Sequence, residues 1–189
     1  MNGSESKTSV AFLINQLFKG GAETALVNLL RTMDETLFDV DLIIFDQIDL
    51  PGSISLIPEV PSWVHVVNIA ENEKQTAFVK KAIFKVERKL TGVQPFRQGV
   101  KEYLRGRYYD AVISYGEWFS SALAARYANA RRKYVWIHAD MDKAAFLHPD
   151  ILRYRGMFDG FFFASHIIRR IGELFDGGLM HAITVSERS

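Results

Sequence analysis

Short apolar runs recur along this chain, and they are apolar residue after residue instead of at every second position. A strand with one wet face alternates apolar and polar side chains. A strand that is apolar throughout is buried on both faces, as in a parallel sheet covered by helices. The clearest runs are residues 9–15, 39–45, 109–114, 133–138 and 160–164, with shorter or weaker ones at 63–69 and 181–185. Between them lie stretches with helical spacing. Leu26, Leu29, Leu30 and Met33 fall at i, i+3, i+4 and i+7 within residues 22–33, which marks one apolar helix face. Residues 73–90 are amphipathic and rich in lysine, and Pro95 suits the first turn of a helix over 96–105. Further helices are expected over 118–128, 149–157 and 166–175. Residues 46–62 hold three prolines and a glycine and read as loop.

Strand–helix alternation with doubly buried strands predicts a single Rossmann-like α/β domain. Its sheet is doubly wound and mostly parallel, with helices on both faces. A chain of 189 residues suits one such domain and can bury a core without disulfides or a structural metal. There are no cysteines, so disulfides and thiolate metal sites are excluded, and a reducing compartment fits. The formal net charge of +1 gives no argument for nucleic acid as a partner. No basic stretch precedes the first apolar run, so no secretory leader is expected. Every apolar run is far shorter than the ~20 residues of a spanning helix, and the chain reads as soluble.

Ligands of open α/β sheets bind beyond the carboxyl ends of the strands, so the residues that follow each run are the candidates. After the first run comes Lys19-Gly20-Gly21 and then a helix from Ala22. Glycine lets a ligand approach the backbone, and the helix N-terminus offers free N–H groups and partial positive charge. That suits a diphosphate or a sugar hydroxyl. A plain turn using glycine for positive φ fits the spacing as well. The pattern is neither G-x-G-x-x-G nor a P-loop, which disfavours a dinucleotide enzyme or an ordinary NTPase, and tight NAD binding is not expected. Glu23, in the first helical turn, either complements the helix dipole or contacts a sugar. His138 ends the run 134–137 and faces the expected crevice, where a neutral imidazole could bond a hydroxyl or move a proton. Asp140 or Asp142 is read as a helix cap before a metal ligand. Gly116 and Trp118 follow another run; the tryptophan is a sugar platform or a buried aromatic. Ser165 is a helix cap first and a crevice residue second. No G-x-S-x-G elbow supports a Ser-His-Asp hydrolase. The basic sets within residues 80–89 and 131–133 read as solvated faces. The first set is also suited to an anionic membrane surface.

Taken together these segments resemble the N-terminal domain of the family 4 retaining glycosyltransferases, which have the GT-B fold. The resemblance is carried by Gly20-Gly21-Ala22-Glu23-Thr24 with Leu26, Asn28 and Leu29; by Phe38-Asp39-Val40-Asp41-Leu42; by Tyr109-Asp110-Ala111-Val112-Ile113-Ser114; by Val135-Trp136-Ile137-His138; and by Asp159-Gly160 through Ser165. It spans roughly residues 9–176. It implies that residues 1–189 form the acceptor-side half, and that the donor-binding C-terminal domain lies outside this sequence. It implies transfer of a sugar from a nucleotide-sugar donor to a glycan or lipid-linked acceptor with retention. No metal and no cofactor are implied, and the usual context is surface polysaccharide assembly in the cytoplasm or at the inner face of the membrane. His138 would be the catalytic residue nearest the transferred sugar. Gly20, Gly21, Glu23, Gly116, Trp118 and Ser165 would bind substrate. A half-cleft alone is expected to be inactive, and its uncovered apolar patch could drive a homodimer. The competing classes are a glycan- or partner-binding module without catalysis, and half of a sugar epimerase with the same fold.

Overall fold

Each apolar run forms a strand: β1 Thr8–Ile14, β2 Phe38–Ile44, β3 His65–Asn68, β4 Tyr109–Tyr115, β5 Ala130–Ile137, β6 Gly160–Phe163 and β7 Ile183–Thr184. The structure is a computed structural model that describes residues 6–45, 47, 52–69, 95–116, 127–138, 155–163 and 183–184. The strands form one sheet in the order β3-β2-β1-β4-β5-β6-β7, and every neighbouring pair is parallel. From β1 the chain moves outward through β2 to β3. It then returns to lie beside β1 as β4 and moves outward the other way. This is the doubly wound, Rossmann-like α/β architecture that the sequence predicts.

The two-sided burial is visible along β1. Val10, Phe12 and Ile14 join one apolar cluster with Val40, Leu42 and Ile44. Ala11 and Leu13 join the other with Ile43, Phe45 and Val112. Helix α1, Gly21–Thr32, covers the first face with Leu26, Val27 and Leu30, all fully buried. Leu29 and Met33 pack at its edge. Each such aliphatic side chain contributes about 1.5–3 kcal/mol when fully buried. Helix α2, Pro95–Leu104, covers the opposite face with Val100 and Leu104. Among the described residues no helix is long and apolar enough to cross a membrane. The helices expected over 73–90 and 166–175 lie outside the described residues, as does that over 118–128 apart from Tyr127. Of the one expected over 149–157, the described part, Arg155–Met157, is a single 3-10 turn.

Two details differ from the sequence expectation. Strand β5 starts at Ala130, not at residue 133, because backbone pairing with β4 continues to Tyr109↔Ala130 although Arg131 and Arg132 point into solvent. Arg132 is paired with Asp159, 2.7 Å away at the head of β6, and the Lys133 N–H donates to the same carboxylate. The second detail is Asp41, an acid inside β2. It lies on the α2 side, where its carboxylate accepts hydrogen bonds from the phenols of Tyr103 and Tyr109 and contacts His65 Nδ1 at 2.9 Å. Burial, and then the Asp41 charge, push the Tyr103 phenol up to about 12, so it stays a donor at neutral pH.

Candidate functional site

The order of the sheet reverses between β1 and β4, the point at whose carboxyl ends open α/β sheets bind their ligands. Three segments leave the sheet there: residues 15–20 after β1, Gly116 after β4 and His138 after β5. The register sets their neighbours, with Leu13 beside Ser114 and Tyr115 beside Trp136.

The segment after β1 is held from below. Gln47, buried, accepts from the Leu17 N–H at 2.6 Å and donates to Ser55 Oγ at 2.8 Å. Residues 54–56 run back along it: Lys19 donates to the Ile54 carbonyl, Leu56 donates to the Leu17 carbonyl, and Phe18 and Ser55 form an antiparallel bridge. The stretch 46–62, expected to be loop, thus includes a scaffold for the glycine turn and a 3-10 turn, Ile57–Glu59. Gln47→Leu would strand the Leu17 N–H in the core. Its expected cost is about 1–3 kcal/mol, measured by denaturant unfolding, with faster hydrogen exchange at the Leu17 and Lys19 amides.

Gly20 is the N-cap residue of α1, with extended backbone at φ −154°, and Gly21 opens the helix. Neither has positive φ, so the plain-turn reason for glycine does not apply here. At Gly20 a neighbouring side chain approaches closely. The Glu23 carboxylate folds back over it, and a Cβ on Gly20 would collide with Oε2 of Glu23. The protein's own anion therefore stands at the helix N-terminus, where the dipole favours it. A Cβ on Gly21, in contrast, would meet open space.

Gly116 has φ +133°, a conformation reserved for glycine, and the Ser114 hydroxyl, fully buried, donates to its carbonyl at 2.9 Å. Just before it, Tyr115 turns its ring toward α1. The phenol donates to the Ala22 carbonyl at 3.1 Å. The ring lies edge-on to Phe12, 5.2 Å from the Trp136 ring and 4.4 Å from the His138 ring, centroid to centroid. Burial, then the nearby Glu23 charge, raise the Tyr115 phenol well above its ordinary range. Trp136 near the end of β5 and His138 just after it stack with parallel rings at 6.0 Å. Burial pushes the His138 imidazole down to about 4, so it is neutral at physiological pH. A neutral imidazole can donate from one nitrogen and accept at the other.

Gly20, Gly21, Glu23, Gly116 and His138 therefore gather at one end of the sheet, linked through Tyr115. Trp118, Ser165, Asp140 and Asp142 lie outside the described residues. Sequence reasoning missed Tyr115 and Gln47. It also missed the side chains of Asn15 and Trp136, whose Oδ1 and Nε1 are buried and make no hydrogen bond among the described residues. The available signal was position: Asn15 directly follows β1, and Trp136 lies two residues before His138. Among the described residues no group of three or more His, Asp or Glu could hold a metal.

The fold has known structural counterparts. The chain shares its fold with GT-B glycosyltransferases. One is UGT2 of Phytolacca americana, complexed with UDP-2fluoro-glucose and pterostilbene, with a TM-score of 0.52 and 11% identity. That match covers 93% of this chain and 52% of the other, so the chain spans about half the length of that protein. Another is a sucrose-phosphate synthase structure from Thermosynechococcus elongatus, with a TM-score of 0.53 and 13% identity, covering 96% of this chain and 91% of the other. At these identities the likeness is one of fold. No protein-family model and no curated protein matches the sequence.

Proposed function

We propose that this chain is the acceptor-side half of a glycosyltransferase that moves a sugar from a nucleotide-sugar donor to a glycan or lipid-linked acceptor. The observation that carries the reading is the joining of the glycine turn and a neutral His138 at the switch point of the sheet. Both sides offer groups that recognise a hydroxyl: the Glu23 carboxylate as acceptor, and the imidazole as donor or acceptor. The Glu23 carboxylate over Gly20 favours a neutral hydroxyl at this helix end, because a phosphate would first have to displace it. Retention at the anomeric carbon, a cytoplasmic setting and a role in surface polysaccharide assembly follow from the resemblance of the Gly20–Thr24 and Val135–His138 segments to family 4 enzymes. Membrane attachment through residues 80–89 and a homodimer belong to the same reading.

In a GT-B enzyme the reacting groups meet between two domains, and a half-site cannot hold both substrates in attack geometry. Residues 1–189 alone are expected to bind a saccharide and to turn over no nucleotide sugar. Saturation-transfer NMR with methyl glycosides reads the first, and sugar release from labelled nucleotide sugars reads the second. His138→Ala should abolish saccharide binding. Gly21→Leu should also abolish it and leave the fold intact, since a Cβ there meets nothing within 4 Å among the described residues. Turnover by this chain alone would overturn the half-site reading. Saccharide binding that ignores both substitutions would remove the site from this crevice.

A further inference from the structure

Tyr115 is the side chain that touches both parts of the crevice. It ends β4, is 4% exposed, and has two separable features. Its ring packs on His138 at 4.4 Å and on Trp136 at 5.2 Å. Its hydroxyl reaches across to α1 and donates to the carbonyl of Ala22, the residue between Gly21 and Glu23. Packing alone would be served by phenylalanine, which buries no hydroxyl. A phenol spends its donor on a helical carbonyl and gains a fixed distance between strand β4 and the first turn of α1. The Glu23 carboxylate is close enough to act on the phenol, so the tether ends beside the group read as a hydroxyl acceptor.

We propose that Tyr115 is a positioning residue, whose hydroxyl anchors it to the first turn of α1 and whose ring holds the His138 imidazole at a fixed place relative to Glu23 and the glycine turn. The proposal deepens the saccharide-site reading and rests on it for its purpose, but the coupling itself can be measured without any ligand. Tyr115 touches no substrate in this account; it acts through His138 and α1.

The experiment follows the His138 imidazole by NMR in the whole chain, in wild type, Tyr115→Phe and Tyr115→Leu, assigned with His138→Gln, and adds a methyl glycoside as the binding probe. In wild type the imidazole should titrate near 4. Tyr115→Phe keeps the ring and cuts the tether. It should shift the α1 first-turn amides and the His138 ring resonances together, and weaken glycoside binding about tenfold, with the titration midpoint still low. Tyr115→Leu removes the ring and should raise the midpoint toward the ordinary 6.5. A merely structural tyrosine would lower the melting temperature in both variants and leave the His138 resonances unmoved. The proposal is overturned if Tyr115→Phe moves the α1 amides but not His138, or if Tyr115→Leu leaves the midpoint near 4. Should Tyr115→Leu not fold, the Phe variant decides. If wild type binds no glycoside, the saccharide reading fails by itself, and the tether stands or falls on the resonances.

Discussion

Replacing Phe12 with alanine is expected to destabilise the protein by about 3–5 kcal/mol, among the largest effects of any single substitution in the described core. Phe12 is 2% exposed, at the middle of the central strand, with β2 on one side and β4 on the other. Its ring fills the α1 face beside Leu42 and Leu26 and meets the Tyr115 ring edge-on, with centroids 6.4 Å apart. Alanine would remove the apolar area and leave a cavity, because strands bonded on both sides cannot close over it. The edge-to-face contact would go as well, typically about 0.5–1.5 kcal/mol beyond burial. For a domain of this size the melting temperature should fall by roughly 2–4 °C per kcal/mol. Urea unfolding gives the loss directly, and Phe12→Leu should recover much of it. A cost below about 1 kcal/mol would mean that the α1 face repacks freely, which the fully buried Leu26, Leu30 and Leu42 argue against. The loss should also loosen Tyr115, and so reach His138 from the floor of the sheet.

The strands were legible because doubly buried parallel strands are written as unbroken apolar runs, and that signal is local. The interactions between distant residues were not. Asp41 lies in a run read as apolar; it is a partly buried acid to which Tyr103 and Tyr109, far along the chain, bring two phenols. Gln47 lies in a proline-rich stretch that reads as loop, yet it holds Leu17 across the mouth of β1. At the site, residue types and strand ends were enough to place Gly116 and His138. The reason for Gly20 was not readable, since a glycine before a helix can mean positive φ, room for a ligand, or room for a neighbour. Here the φ is not positive, and the tip of the Glu23 side chain lies over the residue. Tyr115 escaped notice because an aromatic at a strand end reads as core, and only the partner of its hydroxyl says otherwise.

Acidification should destabilise the protein between pH 6.5 and about 4 through His138, by up to about 3 kcal/mol. Burial lowers the folded-state pKa of this imidazole to about 4, whereas in the unfolded chain it takes its ordinary value of 6.5. Between those two pH values the unfolded chain binds a proton that the folded chain refuses. Falling pH therefore draws the equilibrium toward unfolding. The stability is fully present above 6.5, declines through the window and levels off below about 4. The carboxylates that accept hydrogen bonds act in another range. Asp34, Asp110 and Asp159 are held below 3.8, so their contributions are lost only as pH falls below that value. Thermal melts at closely spaced pH separate the two windows. His138→Gln, which keeps a polar side chain and cannot titrate, should flatten the upper window and leave the lower one. An unchanged slope in that variant would mean that His138 is hydrated in the folded protein. A hydrated imidazole would titrate near 6.5, and the neutral hydrogen-bonding group at the end of β5 would become a cation over much of the acidic range.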